Sequence, residues 1–190
     1  MISLATLNRL VVTVILVVTA ILMVANAMAA DAPRFDRGHR QVVALLPPVQ
    51  TQSPAVFEVL DGQPVLVTFF ASWCPPCLDE FQHLNAVAEK YADTPLRIVA
   101  INVFEAWDQN DVPRMAKFLA RTAPAFPVVT GSKAIREQFG GVKRIPTVYG
   151  FNSGGELAYH FIHKRGATKT NASFEELDAA AQALLAAHAS

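Results

Sequence analysis

The chain has 190 residues, 52% of them hydrophobic and 17% charged, with 16 Lys+Arg against 16 Asp+Glu. That length and composition fit one ordinary globular domain with a sizeable core and exclude a disordered chain. The charge balance leaves no field of one sign, so neither nucleic acid nor an anionic membrane surface is implied as a partner. The two cysteines are too few for a multi-disulfide framework, and their closeness in sequence must be explained locally, as redox or metal chemistry.

Arg9 precedes an apolar run from Leu10 to Val24 of the length of a signal-peptide core. Ala25-Asn26-Ala27 and Ala27-Met28-Ala29 both have the small-x-small form of a cleavage site. Carried on to Ala30, the stretch also approaches the roughly 20 residues of a spanning helix. Residues 1–30 therefore read as a cleaved signal peptide or a retained membrane anchor, with a tilt toward the anchor. In both cases the remainder is expected outside the cytoplasm, in the periplasm, where disulfides persist.

Residues 31–60 mix charge with Pro33, Pro47, Pro48 and Pro54 and a short apolar piece at Val42–Leu46. They read as a linker followed by edge elements. Asp61-Gly62 marks a turn into a domain over residues 61–190. Pro64–Phe70 is apolar at every other residue on both phases, as a strand covered on two sides would be. From Cys74 the period changes to helical: Leu78, Phe81, Leu84, Ala88 and Tyr91 form the inward stripe, with Asp79, Glu80, Gln82, Glu89 and Lys90 on other faces. Leu96–Asn102 reads as a second buried strand, completing a strand-helix-strand unit with a right-handed crossover. Asp111–Thr122 reads as a helix with Val112, Met115, Phe118 and Leu119 inward and Pro113 in its first turn. A short strand at Phe126–Thr130 follows, then a small helix capped by Ser132, carrying Ile135 and Phe139 and ending at Gly140-Gly141. Thr147–Phe151 and Leu157–Ile162 form a hairpin around Asn152–Gly155. Ser173 and Glu176 make a capping box for a last helix with Phe174, Leu177, Ala181, Leu184 and Leu185 on one stripe.

Within this order, Trp73-Cys74-Pro75-Pro76-Cys77 lies at a strand-to-helix junction. Two residues between cysteines on a first helical turn put both sulfurs on one face, close enough to form a reversible disulfide. Cys74 falls at or near the N-cap. Pro75 and Pro76 occupy positions where an N–H has no intrahelical acceptor anyway. The helix N-terminus sets partial positive charge beside Cys74, lowering its pKa and marking it as the nucleophile.

Ala71-Ser72-Trp73-Cys74-Pro75-Pro76-Cys77, together with Arg144-Ile145-Pro146-Thr147, resembles the active-site and proline motifs of the TlpA/ResA-like thioredoxins, extracytoplasmic thiol-disulfide oxidoreductases. The resemblance runs from about Asp61 to the C-terminus. It implies an α/β, thioredoxin-like fold: a central mixed sheet flanked by helices, here preceded by the N-terminal hydrophobic segment. It further implies that Cys74 attacks, Cys77 resolves and Pro146 is a cis-proline facing them, with Trp73, Ile145 and Pro146 contacting substrate. The Cys74/Cys77 disulfide itself is the redox group, so no other cofactor is expected. The implied partners are an exported protein bearing a disulfide, apocytochrome c in cytochrome c biogenesis among them, and a membrane-embedded electron donor.

Two departures from the wider pattern stand out. Thr68 occupies the place, six residues before Cys74, where cytoplasmic thioredoxins carry a buried acid. Glu80, one turn beyond Cys77, is the substitute for proton transfer, unless it is an ordinary solvated carboxylate. Phe81-Gln82 also lacks the helix-bending proline that many members have after that glutamate. Pro75 and Pro76 cannot donate hydrogen bonds to a Cys74 thiolate, which withholds stabilisation from the reduced form and tilts the reading toward a reductant.

Other readings weigh less. A copper-delivery protein on the same fold would use the two thiolates for Cu(I), but such proteins space the cysteines one residue wider and add a histidine. His160 and His163, three apart on a strand, point to opposite faces and make a poor zinc pair. His83 reads as a surface residue, and the Asn171-Ala172-Ser173 sequon competes with the helix cap for Ser173. A thiol peroxidase needs a different local motif, and a purely structural disulfide over so short a loop contributes little stability.

Overall fold

The structure, a computed structural model, describes residues 13–15, 32–49, 62–106 and 109–189. The chain separates into two compact units, Met1–Ala32 and Pro33–Ser190. Of the first, Thr13–Ile15 and Ala32 are described; Thr13–Ile15 is helical, with Val14 and Ile15 exposed. The rest of the expected signal or anchor lies outside the described residues.

The second unit contains α1 (Arg37–Ala44), β1 (Val65–Phe70), α2 (Pro75–Lys90), β2 (Arg97–Asn102), α3 (Asp111–Thr122), β3 (Val128–Thr130), α4 (Lys133–Gln138), β4 (Thr147–Phe151), β5 (Leu157–Ile162) and α5 (Phe174–His188). Its mixed sheet has the order β3-β2-β1-β4-β5. The strands β1, β2 and β3 are parallel, and β4 runs antiparallel to both β1 and β5. Every residue of the central strand β1 is buried. Leu66 and Phe70 join the core beneath α2, α3 and α5, and Val65, Val67 and Phe69 join the core beneath α1 and α4. Period-two alternation thus feeds two layers from one strand, which is why its sequence is apolar throughout.

The first layer is anchored by Phe70, Phe81 and Phe118, whose ring centroids lie 4.7–5.1 Å apart. Phe70 ends β1 and Phe81 lies one turn beyond Cys77, so the cluster grips both ends of the cysteine loop from behind. The second layer gathers Phe35, Phe69, Phe139, Tyr149 and Phe151. Gly155, in the hairpin turn, has φ 78°, and a Cβ there would lie 2.5 Å from the Phe35 carbonyl oxygen. Only glycine lets the turn accept the Phe35 N–H at 2.8 Å.

Three expectations require correction. Residues 37–44 are a helix rather than linker, capped by Asp36, which accepts the His39 N–H at 3.0 Å. Its apolar stripe is invisible in sequence because its inward residues are Val43 and Arg40, the latter donating to the carbonyls of Phe35, Gln63 and Asn152. Val112 is 59% exposed rather than inward. The buried face of α3 instead runs through Asp111, Met115, Phe118 and Thr122, because Asp111 is held inward by Arg114. The strand expected from Phe126 begins at Val128, as Pro127 has no N–H to give the ladder and supplies only its carbonyl to Ala100 at 2.9 Å.

Candidate active site

β1 ends in the buried second-layer and first-layer phenylalanines, so the chain must leave the sheet at Ala71 and turn into α2. Cys74 is the N-cap of that helix, and Pro75 and Pro76 are its first two residues. Cys74 and Cys77 form a disulfide with Cα atoms 5.4 Å apart. Cys77 is fully buried, while Cys74 keeps 4% of its surface exposed. The asymmetry follows from the helix start: the N-cap lies at the molecular edge, and the residue one turn in faces the core. The Cys77 N–H donates to the Cys74 carbonyl at 3.1 Å, and the Cys74 N–H to the Ala71 carbonyl at 3.2 Å.

Glu80 is buried on the same face as Cys77, one turn on. Its expected place on a helix face other than the inward stripe is therefore overturned, and with it the alternative of an ordinary solvated carboxylate. Its Oε1 accepts from the Thr68 hydroxyl at 2.7 Å, and its Oε2 from the Ala172 N–H at 3.4 Å. Thr68, in the place of the acid, thus sits on the α2 side of β1 and pairs with the acid that replaced it. Burial pushes the Glu80 carboxyl up from 4.5 to about 7, against the two hydrogen bonds, which pull it down. Ala172 also ties in His83, whose Nδ1 lies 2.9 Å from the Ala172 carbonyl. His83 is half-buried, not the surface residue expected.

Trp73 is 48% exposed and donates from Nε1 to the Phe104 carbonyl at 3.1 Å. Phe104 takes a left-handed φ of 63° and carries Arg136 over its ring at 4.4 Å. The Ile145-Pro146 peptide bond is cis, and the Pro146 carbonyl accepts the His163 N–H at 3.1 Å. Trp73, Phe104 and Ile145 line, with Lys143, Arg144 and Arg165, a groove of about 470 Å³. The two sequence motifs, separated by seventy residues, are brought to one site, and His163 joins this groove rather than pairing with His160, which stacks on Tyr149.

Residues 41–179 match the family described as Redoxin. The chain belongs to the Redoxin family. It is 26% identical over 142 residues to the thiol-disulfide oxidoreductase ResA of Halalkalibacterium halodurans, covering 74% of this chain and 75% of that protein. It is 35% identical over 125 residues to the thiol:disulfide interchange protein CycY of Rhizobium leguminosarum, covering 65% of this chain and 61% of that protein. The crystal structure of a thioredoxin-family thiol:disulfide interchange protein from Chlorobium tepidum superposes with a TM-score of 0.55 at 24% identity, over 66% of this chain and 82% of that one. These likenesses establish the thioredoxin-like fold, the TlpA/ResA-like character of this Redoxin-family protein and its class, thiol-disulfide oxidoreductase.

In this Redoxin-family enzyme the turn before Cys74 is held by a polar cluster that no sequence motif signals. The fully buried Glu105 carboxylate accepts the Ser72 N–H and pairs with Arg114 at 3.1 Å. Arg114 also donates from Nε to the Ser72 hydroxyl at 3.0 Å and pairs with Asp111. The Asn102 side chain lies 3.4 Å from the same Glu105 oxygen. Glu105 follows β2 and Arg114 lies in α3, so the cluster ties the end of the second strand and the start of the next helix to the residue two before Cys74. Glu105→Ala is expected to lower the unfolding free energy by about 3 kcal/mol, the low end for breaking a buried pair because Arg114 keeps some solvent contact. Urea denaturation at neutral pH measures it, and Glu105→Gln, which retains the acceptor for Ser72, is expected to lose less.

Proposed function

We propose that this enzyme works as an extracytoplasmic reductant of disulfides in exported proteins, apocytochrome c being the substrate type that the TlpA/ResA-like resemblance supports. The observation that carries the reading is the donor-poor start of α2. Pro75 and Pro76 have no N–H to offer a Cys74 thiolate, and the Cys77 N–H already donates to the Cys74 carbonyl. A hydrogen bond to a charged group contributes ~1.5–3 kcal/mol, so one such bond withheld moves the potential by roughly 30–65 mV in the reducing direction.

In the reduced enzyme, the Cys74 thiolate attacks one sulfur of the substrate cystine. The substrate S–S bond breaks, a mixed disulfide forms, and the first substrate thiolate leaves and takes a proton from water. Ionised Glu80 accepts the proton of the Cys77 thiol, and the Cys77 thiolate then attacks Cys74 Sγ, releasing the second substrate thiolate. Two electrons have passed to the substrate, and the Cys74–Cys77 disulfide remains. In an oxidising compartment a membrane-embedded donor must return those electrons. Glu80 suits its role because a carboxyl at about 7 is matched to a thiol proton near neutral pH. Trp73 and Ile145 form the substrate-facing rim, and the buried cis-Pro146 follows Ile145 directly.

Equilibration with glutathione tests the direction. The potential is expected nearer thioredoxin's ~−270 mV than the ~−120 mV of a strong oxidase. A value near the oxidase end overturns the reductant reading.

A further inference from the structure

We propose that the groove beside Cys74 selects its substrate by charge, taking an extended disulfide-bearing protein segment whose cysteine is flanked by acidic side chains. The inference rests on the oxidoreductase reading above and adds the chemistry of the segment recognised.

The chain is neutral as a whole, yet the stretch Lys133–Arg165 holds six basic residues against two acidic ones. Folding gathers part of that excess into the groove lined by Trp73, the residue immediately before Cys74. Lys143 and Arg144 immediately precede Ile145-Pro146, and Arg165 follows β5, whose exit is tied to the same loop by the His163-to-Pro146 hydrogen bond. No acidic residue lines the groove. Among the described residues Lys143, Arg144 and Arg165 have no ion-pair partner, whereas Arg114 and Lys169 pair with carboxylates. Glu105, the acid nearest in sequence to Phe104, is buried and committed to Arg114 and Ser72. Like charges gathered without counter-charge repel one another, and a partner supplying carboxylates relieves the repulsion as it docks.

The shape narrows the partner further. Trp73 and Phe104 are exposed large apolar side chains at one side of the groove, a floor for an apolar or aromatic side chain next to the substrate cysteine. Arg136, stacked on Phe104, adds positive potential from behind that floor. Among the described residues nothing pairs with the main-chain N–H or carbonyl of Ile145, so an extended segment can add backbone hydrogen bonds there. A concave site of about 470 Å³ holds a few side chains of such a segment, not a flat anionic membrane.

The test uses the full chain, reduced beforehand, and three cystine peptides identical except that the residues flanking the cysteines are Glu, Gln or Lys. Oxidation of the enzyme is followed by tryptophan fluorescence. Each rate is divided by the rate of the same peptide with dithiothreitol, because flanking glutamates by themselves slow exchange by raising the leaving thiol's pKa. At low salt the normalised rate is expected to be about tenfold or more higher for the Glu than for the Lys peptide, the lower range of electrostatic steering. At 1 M salt, where the Debye length is about 3 Å, the preference is expected to fall to near unity. Combining Lys143→Gln, Arg144→Gln and Arg165→Gln is expected to abolish it at low salt. Equal normalised rates, or faster reaction of the Lys peptide, overturn the charge selection while leaving the oxidoreductase reading intact. Failure to oxidise the enzyme with any of the three overturns that reading, and this inference with it.

Discussion

Cys74→Ser is expected to leave no disulfide reductase activity, while Cys77→Ser is expected to stop after the first exchange and accumulate enzyme joined through Cys74 to its substrate. The difference follows from where α2 puts the two sulfurs. Cys74 is at the N-cap with part of its surface open, and Cys77 is sealed one turn deeper. A substrate sulfur can reach only the first. A serine hydroxyl at position 74 supplies no thiolate for the attack. A serine at position 77 removes the group that resolves the mixed disulfide, so the covalent intermediate persists. The disulfide closes a loop with a sequence separation of only three, so neither substitution is expected to change stability much, and a denaturation midpoint close to the wild type's will separate chemistry from unfolding. Insulin reduction and mass spectrometry of trapped conjugates measure the two effects. Capture through Cys77 in the Cys74→Ser chain reverses the assignment of roles. Capture of no exported protein by Cys77→Ser counts against the extracytoplasmic reductase proposal.

The second large effect concerns Glu80 and pH. Its carboxyl rises from 4.5 to about 7 on folding, chiefly through burial. Below pH 4.5 the group is protonated in both the folded and the unfolded chain, and stability does not depend on it. Between 4.5 and 7 the unfolded chain ionises first and binds fewer protons, so stability falls as pH rises, and above 7 the loss is complete. At about 1.4 kcal/mol per unit of pKa the loss amounts to roughly 3 kcal/mol. Glu80→Gln keeps an acceptor for the Thr68 hydroxyl and cannot ionise. Its stability relative to the wild type is therefore expected to climb by about that amount from pH 4.5 to 8, read from urea titrations of both chains, in which all other titrating groups cancel. The rate of mixed-disulfide resolution is expected to do the opposite. In the wild type it rises through about pH 7 as Glu80 becomes able to accept the Cys77 proton, and Glu80→Gln loses that inflection. Parallel stability curves for the two chains dispose of the buried carboxylate, and an unchanged inflection in the variant disposes of its role as proton acceptor.

Both effects show where the sequence was legible. Local periodicity carried the strand of residues 65–70, the helix from Cys74, the hairpin and the capping box of Ser173 and Glu176. These depend on the period of one element and on the side chains at its ends, which are written in consecutive residues. The Cys-x-x-Cys spacing on a helix start was legible for the same reason, since an i, i+3 relation within one turn needs no knowledge of the rest of the fold.

Relations across the chain were decided elsewhere. A carboxylate at position 80 looks solvated in a helical pattern, and it turns inward because Thr68, from the strand beneath, and Ala172, ahead of the last helix, supply hydrogen bonds where the sheet and helices meet. Arg40 hides a helix because a buried guanidinium satisfied by three carbonyls from distant segments reads, in isolation, as a polar surface position. Glu105 and Arg114 were missed because their common target, the turn at Ser72, lies some thirty to forty residues away. By itself the sequence determined the redox pair, the element that presents it and most of the order of strands and helices, because those follow from short-range geometry. Only the tertiary structure decided what lies around the pair: a buried protonatable acid one turn beyond Cys77, and an aromatic and cationic groove lined by Trp73, the residue before Cys74. Burial and charge clustering are sums over residues that folding alone makes neighbours.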